Sequence, residues 1–121
     1  MHLLNRKFFI SLSLMRLAVK AADEKELGAH SASCSANFFS AANAKGVADY
    51  ELYYGSGEYT FNIAVTAVGN QVALEHFNRS SERINELMQR RWSDFYKVDE
   101  EYAARCDALK QAYLKVKNTS S

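Results

Sequence analysis

Cys34 and Cys106 are the only cysteines in the chain, and their spacing points to covalent chemistry. Two thiols allow a single intramolecular pairing. They lie too far apart in sequence for a C-x-x-C redox pair or a paired-cysteine zinc site. A bridge between them would close a loop of about 70 residues and stabilise the fold by about 4 kcal/mol. We predict this disulfide for an exported protein; in a cytosolic protein both residues would be buried free thiols.

The remaining reactive side chains form no catalytic or cofactor-binding pattern. Glu26 and His30 are spaced to share one helix face, but the sequence has no Glu-x-x-His pair of the kind that builds a di-metal site in a helical bundle. It also has no C-x-x-C-H haem motif and no G-x-S-x-G nucleophile elbow. The glycines around Ser56 lack the spacing and the lysine of a phosphate-binding loop. We therefore predict a protein that is not an enzyme and has no metal or cofactor.

The N-terminal segment 1–21 has the outline of an export signal. Its basic start is followed by an apolar run from Phe8 to Met15, and the small residues near Ala21 and Ala22 suit cleavage there. The apolar run is short and Arg16 and Lys20 follow it, so the alternative is a basic amphipathic helix that stays on a membrane surface or in the cytosol. A membrane-spanning helix is excluded, because it needs about 18 consecutive apolar residues.

The net charge of the predicted mature domain, residues 22–121, bears on the class of partner. Four of the 15 basic residues precede Ala22 and none of the 14 acidic residues does, which leaves 11 basic against 14 acidic residues, a net charge of −3. Proteins that bind nucleic acids usually carry a basic excess on the folded domain. We therefore exclude nucleic acid as a partner. A domain of this size has a small core and would gain from a cross-link.

Apolar spacing predicts helices over most of this domain, which contains no proline. We expect a first helix over about 24–44 with His30, Cys34 and Phe38 inward, and a third over about 70–94. A last helix should begin with Asp99 as its N-cap. Its predicted inward stripe is Tyr102, Cys106, Leu109, Tyr113 and Val116.

The segment 47–68 fits two structures. At helical spacing its inward stripe would be Tyr50, Tyr54, Gly57, Phe61, Ala64 and Val68. At period two, Tyr59 to Val65 alternates as a strand would, with Gly55 to Gly57 as a hairpin turn. An isolated hairpin is marginally stable and no other segment offers a third strand. We favour a helix with a kink near Gly55 to Gly57.

These elements predict an all-α fold: a small antiparallel four-helix bundle with one disulfide that joins the first and last helices. The alternative is a β-hairpin near 50–66 packed on helices. In either case residues 22–121 form a single domain.

Two clusters are candidates for a recognition surface. Four tyrosines lie between residues 50 and 59, so at least one ring should lie outside the core, and Arg90 and Arg91 precede the only tryptophan. Tyr53, Arg90 and Arg91 fall off the predicted core stripes and are our predicted partner-binding residues. We expect an exported, periplasmic or secreted protein that binds an unidentified protein or envelope component. The alternatives are a carrier of a small apolar ligand among the phenylalanines and an accessory protein anchored on a membrane surface by its leader.

Overall fold

The computed structural model describes the backbone of residues 10–120 and the side chains of residues 23–119. It contains four helices: α1 (Ile10–Ala44), α2 (Val47–Val68), α3 (Asn70–Met88) and α4 (Tyr96–Ser120). A 3₁₀ turn, Trp92–Asp94, precedes α4. The described residues form no strand, so the helical bundle is confirmed and the hairpin alternative for 50–66 is wrong. The helix α2 is uninterrupted at Gly55 to Gly57, where a kink was predicted.

The predicted export signal lies outside the side chains that the structure describes. Residues 1–9 are outside the described backbone as well, and residues 10–22 are described only as part of helix α1. Gly28 of α1 faces Val68, the last residue of α2.

Small residues let α1 and α2 pack closely. A methyl group added at Gly28 would overlap the Val68 side chain, and one added at Gly57 would lie 3.0 Å from the ring of Phe39. Between these points the Ser35 hydroxyl donates a hydrogen bond of 2.8 Å to the Gly57 carbonyl. The run of alanine and serine in α1 thus serves close contact with α2.

The main core lies where α1, α3 and α4 meet. Its buried side chains include Phe38, Ile84, Met88, Val98 and Tyr102. Cys34 and Cys106 are fully buried in the same cluster and form the predicted disulfide, with their Cα atoms 5.5 Å apart. The bridge joins α1 to α4, so the sequence pattern placed both cysteines correctly on the inner faces of their helices.

Helix α3 ends six residues before the predicted boundary at Asp94. Its last residue is Met88, and Gln89 and Arg90 adopt left-handed backbone conformations with φ of 52° and 61°. Left-handed residues end a helix because they turn the next carbonyl away from the helix axis, and glycine or asparagine usually takes this place. Neither residue type occurs here, so the sequence carried no signal for this end.

Helix α4 begins at Tyr96, three residues before the predicted N-cap at Asp99. Asp99 lies inside the first turn, and its Oδ2 is 2.6 Å from Nζ of Lys45 in the loop that joins α1 and α2. This hydrogen bond is the main cause of the raised pKa of Lys45. The predicted inward stripe holds at Tyr102 and Cys106, but Val116 at its far end is exposed.

Candidate interaction surface

Tyr53, one of the three predicted partner-binding residues, belongs to the protein's own packing. Its side chain is half-buried and packs against the main core. Its ring centroid lies 6.4 Å from that of Phe38, and Nζ of Lys45 and of Lys110 lie 6.0 and 5.3 Å from it. Tyr53 was predicted to lie off the core stripes, but its ring contacts Phe38 of α1 and Lys110 of α4.

The other two predicted residues, Arg90 and Arg91, are exposed in the turn after α3. The Arg91 guanidinium donates a 2.7 Å hydrogen bond to Oδ2 of Asp94, which lowers the pKa of that carboxyl group. The indole of Trp92 is 49% exposed and lies 6.5 Å from the ring of Phe95. Arg91 thus has a carboxylate partner within its own turn. The described contacts connect this turn to Tyr53 through Phe95 and Lys45.

The exposed tyrosines of α2 are Tyr50 and Tyr54, which the sequence pattern had placed on the inward stripe. Their side chains are 41% and 40% exposed. The two rings stack with centroids 5.5 Å apart and planes 15° apart. The prediction that at least one ring of this cluster lies outside the core is confirmed, but the rings are these two and not that of Tyr53.

A row of phenylalanine rings, each in contact with the next, packs behind this pair. The ring of Phe39 meets that of Tyr54 edge to face at 5.1 Å, and Phe39 in turn contacts Phe77 at 6.0 Å. Phe77 continues to Phe61 at 5.6 Å. Gly57 leaves room for Phe39 in this row, because a Cβ atom added there would lie 3.0 Å from three atoms of the Phe39 ring.

One face of α2 combines these rings with carboxylates. Helical spacing places five exposed residues on it, which we call the tyrosine surface: Val47, Tyr50, Glu51, Tyr54 and Glu58. Val47 is 92% exposed, and an open groove runs past Val47, Tyr50 and Glu51 to the end of α1. Two of these five residues are carboxylates, and residues 47–68 include no lysine, arginine or histidine. The surface is therefore aromatic and negatively charged.

One of the two described histidines lies differently from the prediction. His30 was expected inward but is exposed, with Nε2 3.7 Å from the sulfur of Cys34. His76 is half-buried, and its Nδ1 lies 3.2 Å from a guanidinium nitrogen of Arg79. No three His, Cys, Asp or Glu side chains among the described residues lie together as a metal site would require. In the same part of the chain, no helix is long and apolar enough to cross a bilayer.

Comparison of the chain with protein-family models, with curated proteins and with solved structures gave no match in any of the three.

Proposed function

We propose that this is a small exported helical protein that acts without catalysis by binding a partner protein or envelope component. An inhibitor, an immunity-like protein or an accessory subunit would act in this way. The tyrosine surface is the proposed binding face. The observation that carries the proposal is the stacked pair of Tyr50 and Tyr54, each about two-fifths exposed although tyrosine is a large and partly apolar side chain.

Tyrosine is among the residues that contribute most to protein interfaces. It offers a large contact area, a hydroxyl group for hydrogen bonding and few rotatable bonds to immobilise. Here the Tyr54 ring is already held by Phe39 and by Tyr50. Rings that are fixed before binding lose less conformational entropy on association, which favours affinity.

The disulfide supports the exported location. Bridges of this kind persist in oxidising compartments and are rare in the reducing cytosol. The leader-like segment 1–21 gives the same indication independently. Export to a periplasm or to the exterior would bring the tyrosine surface to the envelope or secreted partners that we propose.

The alternative of an apolar-ligand carrier rested on the phenylalanines. In the structure Phe39, Phe61 and Phe77 contact one another, and Phe38 contacts Tyr53. Because these rings pack against one another, less space is left between them for a ligand. Native mass spectrometry that shows a stoichiometric small molecule on the purified protein would favour the carrier instead.

A photo-crosslinking experiment tests the binding face. A benzophenone amino acid replaces Val47, which is 92% exposed beside Tyr50, and is activated in cells that export the protein. We expect a crosslinked partner whose yield falls about tenfold or more with Tyr50→Ala or Tyr54→Ala, as for hot-spot residues. Tyr96→Ala is the matched control, because Tyr96 is 56% exposed on α4. Equal crosslinking by the parent and both α2 variants would refute the proposal.

A further inference from the structure

We propose that the partner presents a cationic segment to the tyrosine surface, with lysine or arginine side chains that lie over Tyr50 and Tyr54 and pair with Glu51 and Glu58. This inference rests on the proposed function and adds the chemistry of the partner.

The carboxylates of the tyrosine surface form no ion pair with the side chains that the structure describes. Glu51 and Glu58 are exposed, and neither has an ion-pair partner among the described side chains. The described lysines near α2, Lys45 and Lys110, lie over Tyr53 on another side of the helix. Lys45 pairs there with Asp99 and Lys110 with Asp107. The negative charge of the tyrosine surface is thus left for an external cation.

The other tyrosines show how this protein places cations on aromatic rings. Tyr53, Tyr96 and Tyr102 each have a lysine or arginine within 6.0 Å of the ring centroid, the closest being Arg105 over Tyr102 at 4.7 Å. Tyr59 and Tyr113 contact each other. The described ring contacts of Tyr50 and Tyr54 are with each other and with Phe39. An external cation over these two rings would repeat an arrangement that the protein already uses.

Ion pairing with the carboxylates and cation–π contact with the tyrosine rings can act on the same external cation, because both groups lie on one face of α2. A cation that lies over the ring of Tyr54 is about one helical turn from both Glu51 and Glu58, and one that lies over the ring of Tyr50 is within one turn of Glu51. Carboxylates around such a site also repel anionic surfaces. A phosphate-rich partner such as a nucleic acid or an anionic membrane is therefore disfavoured, and a basic protein segment is favoured.

A defined peptide probe tests the charge of the partner. The probe is a short fluorescein-labelled peptide of alternating arginine and leucine, compared with the same peptide that has glutamate in place of arginine. We expect the arginine peptide to bind the full protein and the glutamate peptide to bind at least about tenfold more weakly, since charge complementarity decides between such partners. Affinity for the arginine peptide should fall as the salt concentration rises, because salt screens exposed charges.

Matched variants separate the tyrosine surface from the general acidity of the protein. Glu51→Gln combined with Glu58→Gln should lower the affinity for the arginine peptide about fivefold. The control, Glu86→Gln combined with Glu100→Gln, removes two exposed carboxylates elsewhere and should change this affinity by less than about twofold. If both pairs weaken binding equally, or if the two peptides bind equally, the inference is overturned.

The crosslinked native partner gives the second readout. The inference predicts that Glu51→Gln with Glu58→Gln lowers its crosslinking yield and its resistance to salt. If the tyrosine variants abolish the crosslink while this glutamine pair preserves it, the tyrosine surface binds a partner but the partner is not cationic. If the crosslinked species is a second copy of this chain or a lipid, the basic protein segment is likewise wrong. Failure of the tyrosine variants to alter the crosslink overturns the proposed function itself.

Discussion

At the scale of single residues, the same apolar stripe of α2 has two environments. Gly57 and Ala64 are buried against neighbouring helices, as the helical spacing predicted. Tyr50 and Tyr54 continue that stripe toward the start of α2 and are exposed. The spacing of residues predicts which side chains share a face. It does not predict where along the helix a neighbour stops covering that face, because coverage depends on how far the other helices diverge.

The glycines of α2 allow a residue-scale prediction about the support of the tyrosine surface. Gly57→Ala should lower the free energy of unfolding by about 1 kcal/mol. The new methyl group would lie 3.0 Å from three ring atoms of Phe39, whose ring is held by Tyr54 and Phe77. Overpacking of this kind costs about 1–3 kcal/mol, and the better helix propensity of alanine offsets about 1 kcal/mol of it. Urea denaturation of the two proteins measures the difference.

Gly55→Ala is the matched control, two residues earlier in the same helix. The atom that its methyl group would meet first is the hydroxyl oxygen of Tyr113, at the far end of a half-buried side chain that can rotate aside. The gain in helix propensity then dominates, so this variant should be as stable as the parent or more stable by up to about 1 kcal/mol. A Gly57→Ala variant as stable as the parent would show that Phe39 is not tightly held, and equal destabilisation by both variants would show that the loss does not come from the Phe39 contact.

At the scale of the elements, the sequence predicted the number, order and type of the helices better than their ends. The boundary of α2 at Gly69 follows from a glycine with φ of 88°, which the sequence marks plainly. The end of α3 is formed by Gln89 and Arg90, two residues without that preference. Asp99 looked like an N-cap, but its carboxylate pairs with Lys45, a contact across 54 residues that local patterns do not reveal.

The unusual end of α3 leads to a prediction at this scale. Gln89→Gly should raise the free energy of unfolding by about 0.5–1 kcal/mol, because glycine adopts the left-handed conformation without the clash of a Cβ atom. Thermal or urea unfolding measures the gain. Glu82→Gly, at an exposed position inside α3, should instead lower the free energy of unfolding by about 1 kcal/mol. Loss of stability in both variants would contradict the left-handed end of the helix at Gln89.

At the scale of the whole molecule, the disulfide supplements a core that is poor in large apolar side chains. Among the described residues, six of the 14 buried hydrophobic side chains are alanines of α1, α2 or α3, and two are the bridged cysteines. The fully buried set also includes Ser31, Ser35, Ser56 and Thr60. Small side chains remove less apolar surface from water and so contribute less to stability. The bridge restricts the unfolded chain over a separation of 72 residues, which the sequence predicted from the two cysteines and the faces on which they lie.

Protein isolated from its native compartment should therefore be oxidised, and loss of the bridge should lower its stability by about 4 kcal/mol. In a domain of about 100 residues this corresponds to a fall in Tm of about 15 °C or more. Calorimetry of the parent with and without a reducing agent, and of Cys34→Ala with Cys106→Ala, measures this effect.

Unreduced mass spectrometry of the same native sample tests the bridge and the export prediction together. The mass should lack the two thiol hydrogens and should correspond to a chain that begins at Ala22 or Asp23, after cleavage of the leader. The two results are separable, because an uncleaved chain with the bridge intact would indicate the membrane-surface anchor in an oxidising compartment. Two thiols that alkylate freely without reduction would overturn both the disulfide and the exported location that rests on it.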